Sequence, residues 1–137
     1  MKVKTFFDNA TATFTHIVVD ESSNKCAVID SVLDYDQFSG MVKTDSANQV
    51  IAYIKDNDLS NQWILETHIH ADHITASKYL QTHIGGKTAM GIGIKDVLKI
   101  WVPIFDDISV TPITGEQFDV LLNEGDQIKV GNITLTT

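Results

Sequence analysis

Thr67-His68-Ile69-His70-Ala71-Asp72-His73 is entered from the apolar run Trp63-Ile64-Leu65 through Glu66, and this junction fixes the architecture of the chain. The apolar run suits a buried strand. Beyond the polar cluster, Ala76, Tyr79, Leu80 and His83 recur at helical intervals, and Gly85-Gly86 predicts the helix end because glycine tolerates the left-handed conformation found there. The cluster therefore lies between a strand and a helix, the corner at which open α/β sheets place their sites. Three of the chain's five histidines fall in these few positions, together with Asp72. An extended strand end points His68 and His70 the same way, and the turn into the helix brings Asp72 and His73 round to them. Imidazoles with a carboxylate form the ligand set of Zn, Fe or Mn, and closely spaced ligands lower the ordering cost of chelation. One or two metals are expected here, on His68, His70, Asp72 and His73. A plain helix cap by Asp72 is the competing reading, but capping needs one residue and leaves three histidines unexplained.

Outward from the cluster, the N-terminal third alternates apolar and polar residues over Lys2 to Phe7 and Thr13 to Val19, and a short apolar run covers Cys26 to Ile29. These read as antiparallel strands. Asp30 to Asp36 reads as an acidic loop. Ser46 and Gln49 have capping-box spacing, and Ala47, Val50, Ile51 and Ile54 follow on one helical stripe. Lys87 to Ile104 reads as a brief strand, a glycine-containing loop and one short helix that Pro103 ends. Gln127 to Val130, Gly131-Asn132 and Ile133 to Thr137 form an alternating hairpin. The pattern is α/β, in one domain over residues 1–137, with no internal repeat or linker.

His83, near a helix end, and His16, inside a strand alternation, are expected to be structural. Cys26 precedes an apolar run without a basic neighbour and reads as a small core residue. Gly85-Gly86 and Gly91/Gly93 read as turns, since no Lys-Ser/Thr follows them.

The chain has 137 residues, a formal net charge of −8 and 43% hydrophobic residues, so a buried core is within reach without disulfides. One cysteine permits no internal bridge, which fits a reducing compartment. The ten basic residues are all lysines, scattered singly, so no nucleic-acid partner is expected. No run approaches the roughly 20 apolar residues of a membrane span, and the start MKVKTFFDNATATF has no signal-like apolar core, so a cytoplasmic location is expected.

The residues Thr67 to His73 resemble the His-x-His-x-Asp-His signature of the metallo-β-lactamase superfamily, whose fold is a four-layer αββα sandwich. With VIDSVLDYD at 28–36, ETHIHADHITAS at 66–77, and GGKTAMGIGI followed by Val-Leu-Lys-Ile up to 100, the chain is similar to the persulfide dioxygenase branch more than to the glyoxalase II thioesterases. The resemblance implies the N-terminal half of that sandwich, a mononuclear Fe(II) cofactor, and oxidation of glutathione persulfide to sulfite and glutathione. It gives His68 the place of an iron ligand, and His70, Asp72 and His73 places lining the site. Ser31 stands where the branch usually has proline, and the branch's later His and Asp ligands fall beyond Thr137, so the chain is expected to be a fragment. The alternatives carried with this reading are a zinc-dependent, glyoxalase II-like hydrolase and an inactive fragment. Apolar sheet left bare by such a half implies a homo-oligomer or a complementary chain.

Overall fold

The computed structural model describes residues 1–105 and 111–137. Strands β1 (Lys2–Asp8), β2 (Thr13–Asp20) and β3 (Lys25–Ile29) form an antiparallel meander, as their alternation predicts. β4 (Val32–Asp36) and β5 (Met41–Lys43) form a small hairpin, followed by α1 (Asp45–Asp56). β6 (Ser60–Glu66) then runs parallel to β3, and the two-residue β7 (Ile74–Thr75) pairs with β4. α2 (Ser77–Ile84), β8 (Lys87–Gly91), α3 (Ile94–Ile104), β9 (Val120–Leu122) and the hairpin β10 (Gln127–Val130) and β11 (Ile133–Thr136) complete the chain. The main sheet has the order β1-β2-β3-β6-β8-β9, in which β3, β6, β8 and β9 run parallel to one another.

Helices cover one face of this sheet. Ile17, Val19, Cys26, Val28 and Ile64 meet Ala47, Val50, Ile51 and Ile54 of α1 and Leu80 of α2 in the main core. A second cluster packs Ile94, Leu98 and Val102 of α3 against Met90. On the opposite face, Ile128 and Leu135 of the terminal hairpin cover Ala89 and Leu122, beside Trp63 and Leu65. Trp63 is fixed there because its indole Nε1 donates to the Lys129 carbonyl at 2.8 Å. Successive strand residues point to opposite faces, so the near-continuous apolar run of β6 supplies both layers. Helix, sheet and hairpin thus stack in the order expected for part of an αββα sandwich.

Several expectations change in detail. Asp30 to Asp36 is largely strand β4, because pairing with β5 and β7 satisfies a backbone that its acidic composition suggested was loop. Helix α1 begins one residue before Ser46, and Thr44 at its cap makes no side-chain capping bond. Ser46 instead donates its amide and hydroxyl to Asp34, at 2.9 and 2.6 Å, so a carboxylate from β4 supplies the helix start. Helix α3 runs for 11 residues with Pro103 inside its last turn, and β9 has no clear pattern in the sequence. No helix among the described residues is long and apolar enough to cross a membrane.

Candidate metal centre

Strand β6 ends at Glu66, and the chain from Thr67 to His73 is a loop at the C-terminal end of the parallel strands, followed by β7 before α2 begins. Asp72 does not cap α2, whose first residue is Ser77, so the capping reading is set aside. The loop is pinned by Asp30, which follows β3 with φ +52. Its carboxylate accepts the Thr67 amide at 2.8 Å and the Thr67 hydroxyl at 2.7 Å, while the Asp30 amide donates to the Leu65 carbonyl at 2.9 Å. An aspartate tolerates the left-handed backbone better than most residues and can bond a neighbouring chain from it.

The pinned loop gathers the four expected residues. The His68 and His70 rings lie 4.3 Å apart, and those of His70 and His73 lie 4.1 Å apart, centroid to centroid. Asp72 Oδ1 stands 3.8 Å from His70 Nδ1 and 3.3 Å from His73 Nδ1. Two overlapping groups, Asp30–His68–His70 and His70–Asp72–His73, each bring three ligand atoms within 4.8 Å of one another.

His73 decides whether these residues fit a metal. Its side chain is only 1% exposed, yet neither ring nitrogen has a hydrogen-bond partner, since the contact with Asp72 lacks hydrogen-bond geometry. A buried imidazole without partners is costly unless a ligand satisfies it. Burial, and then the neighbouring His70, hold His73 below the usual imidazole range, favouring the neutral form that binds metals. Asp72 lies below the ordinary carboxylate range through its own backbone amide, with the three imidazoles adding to the effect, and so remains an anionic donor at neutral pH. The donor set suits Zn or Fe.

Sequence reasoning missed two partners. Asp30 and Glu66 place Oδ1 and Oε2 each 3.1 Å from His70 Nε2. The signal for Glu66 was a lone carboxylate ending an apolar strand immediately before the cluster. Burial pushes that carboxyl up to about 8, with the charge on Asp30 adding to the rise.

Two clefts meet at the cluster, and His70, His73 and Ile74 line both. One, of about 870 Å³, extends along Leu33, Tyr35, Phe38 and Met41. The other, of about 360 Å³, is bounded by His68 and by the apolar side chains of Met90, Ile94, Leu98 and Phe118. The remaining candidates have the structural roles expected. His83 Nδ1 contacts the Tyr79 carbonyl at 2.8 Å, His16 Nδ1 contacts the Thr5 hydroxyl at 2.9 Å, and Cys26 is fully buried.

No protein-family model matches the sequence. The chain is 42% identical over 98% of its length to a "Probable metallo-hydrolase" of Burkholderia pseudomallei, covering 46% of that protein. It is 41% identical over 96% of its length to "Glyoxylase B2" of Dictyostelium discoideum, again covering 46% of the relative. A mitochondrial persulfide dioxygenase of Homo sapiens is 25% identical over 98% of the chain, which covers 41% of it. Among solved structures, a metallo-β-lactamase from Staphylococcus aureus matches 99% of the chain with a TM-score of 0.69 at 19% identity, the chain covering 33% of it. The chain thus spans about half the length of the curated relatives it matches. Its fold is that of the metallo-β-lactamases, and its relatives and structural neighbours are members of the metallo-β-lactamase superfamily.

Proposed function

We propose that this chain carries part of the metal centre of a metal-dependent enzyme, with His68, His70, Asp72 and His73 around the metal. The observation that carries this reading is His73, buried with both ring nitrogens unpartnered beside a carboxylate and a second imidazole. Among the superfamily's reactions, the reading we favour is Fe(II)-dependent oxidation of glutathione persulfide to sulfite in the cytoplasm. Likeness to persulfide dioxygenases over 98% of the chain, together with the signature ETHIHADH, supports it. In this reading His68 is the ligand this chain supplies, and His70, Asp72 and His73 orient it and shape the pocket. A ferrous ion held by these residues would supply binding of dioxygen and of a substrate sulfur. The chain's own contribution is to hold the loop with Asp30, keep His73 neutral, and present an apolar wall of Met90, Ile94 and Phe118 beside His68. The full-length protein, loaded with iron, should consume O₂ when given glutathione persulfide, and absence of uptake overturns the dioxygenase reading.

A zinc-dependent thioester hydrolase is the second reading. It is favoured by the relatives at 42% and 41% identity, named a metallo-hydrolase and a glyoxylase, and by the two adjacent ligand groups that share His70. Asp72→Ala separates the two. Hydrolysis sustained by zinc should collapse as a ligand is lost, whereas in the dioxygenase turnover should weaken while iron stays bound.

A further inference from the structure

We infer that Glu66 is a positioning residue that, with Asp30, holds His70 with its hydrogen on Nε2 and so turns Nδ1 toward Asp72 and His73. The inference rests on the metal-centre reading above for its purpose, though not for its test. Glu66 is the last residue of β6, and its side chain is 1% exposed. A carboxylate so placed requires partners for its oxygens. Oε1 accepts the Thr75 hydroxyl at 2.5 Å, and Oε2 lies 3.1 Å from His70 Nε2. Asp30 Oδ1 approaches the same nitrogen at 3.1 Å, although both Asp30 oxygens already accept bonds from Thr67.

Asp30 Oδ1, already an acceptor for the Thr67 amide, calls for a hydrogen on the ring nitrogen it approaches, and Glu66 Oε2 stands where it shares that hydrogen as a second acceptor. The other nitrogen then carries the free lone pair. Nδ1 is the atom that faces Asp72 Oδ1, at 3.8 Å, and Asp72 in turn approaches His73 Nδ1. The choice bears directly on the two overlapping ligand groups. With Nε2 taken up by Glu66 and Asp30, Nδ1 is the atom His70 offers to a ligand group, and Asp72 of the second group lies on that side of the ring. Carboxylates behind a histidine are the usual device for choosing its tautomer and ring orientation at a metal. Here Thr75 adds a mechanical link: through Glu66, β7 and the end of β6 set the angle of the His70 ring together.

Long-range ¹H–¹⁵N correlation spectra of the metal-free chain test the assignment directly. The expected result is His70 with a protonated Nε2 and an unprotonated Nδ1. A protonated Nδ1 overturns the proposal whatever metal the protein takes. Glu66→Gln should mix the His70 tautomers and lower Zn²⁺ affinity by about 10- to 100-fold, the range for loss of such a partner, with unchanged circular dichroism. Wild-type tautomer and wild-type affinity in a folded Glu66→Gln chain would also overturn it. Should that variant fail to fold, Thr75→Val serves in its place, because it frees Glu66 while leaving the carboxylate present. It should weaken Zn²⁺ binding by several-fold, and unaltered binding counts against the positioning role. Absence of Zn²⁺ binding by a wild-type chain with the expected tautomer would instead sink the metal-centre reading and leave the tautomer assignment standing.

Discussion

At the scale of single residues, burial has opposite consequences for Cys26 and His73. Cys26 lies in the main core, and burial pushes its thiol up to about 12 from an ordinary value of 9.0. The thiolate is the reactive form, so a disulfide reagent at pH 8 should leave the native chain unlabelled and label it stoichiometrically in urea. Labelling of folded protein within minutes would contradict this placement. His73 is also inside, but its ring nitrogens have no hydrogen-bond partners, so the metal-free fold carries an uncompensated cost. Replacing it with an apolar ring removes that cost. His73→Phe is expected to leave the metal-free melting temperature unchanged or raise it, while Zn²⁺ affinity measured by calorimetry falls at least about tenfold. A large loss of stability in the metal-free variant would show that the imidazole has a structural role instead.

At the scale of elements, the terminal hairpin is held to the main sheet through Asp20. Its carboxylate accepts the Asn132 amide at 2.7 Å and the hydroxyls of Ser23 and Ser22 at 2.6 and 2.7 Å, linking the β10–β11 turn to the β2–β3 turn. The Ser23 hydroxyl, the Asn132 amide and the Ser22 hydroxyl hold this carboxyl well below its ordinary value of 3.8. Because the folded value is depressed, the stabilisation is fully present above pH 3.8 and is lost as pH falls below it toward the folded value. Hairpin docking should therefore loosen in acid before the helices melt. Trp63, bonded to Lys129 of the hairpin, reports this by fluorescence in a Trp101→Phe background. Asp20→Asn should show the loosened signal already at neutral pH. Gly131 offers a steric test of the same contact. It sits at φ +58, and a Cβ there would collide with Ser23 Oγ and Asp20 Oδ2, so Gly131→Ala should release the hairpin too.

For the whole molecule, metal binding and folding should be coupled, since the ligands converge only when β3, β6 and β7 are in place. Zn²⁺ at a hundredfold excess over its dissociation constant stabilises a one-site protein by about 2.7 kcal/mol. In a chain of this size that corresponds to a rise in melting temperature of roughly 10 °C. Differential scanning fluorimetry should show this rise in the wild type, its reversal by a chelator, and its absence in His70→Ala. A wild-type melting curve indifferent to Zn²⁺, Fe²⁺ and chelator alike would argue that this chain alone does not close the site.

Sequence periodicity by itself determined the meander, the two amphipathic helices α1 and α2, the terminal hairpin and the gathering of His68, His70, Asp72 and His73 on one loop. These depend on local spacing, which strands and helices translate directly into faces. Tertiary structure decided what depended on distant partners. Residues 32–36 became strand because β5 and β7 lie alongside, and α1 takes its start from Asp34 rather than from its own serine. Glu66 and Asp30 became partners of His70 across separations of 4 and 40 positions, brought together by parallel pairing of β3 with β6. Carboxylates in sequence look alike; which one is buried against an imidazole is settled only by the register that packs them, because desolvation and hydrogen bonding act through space and not along the chain.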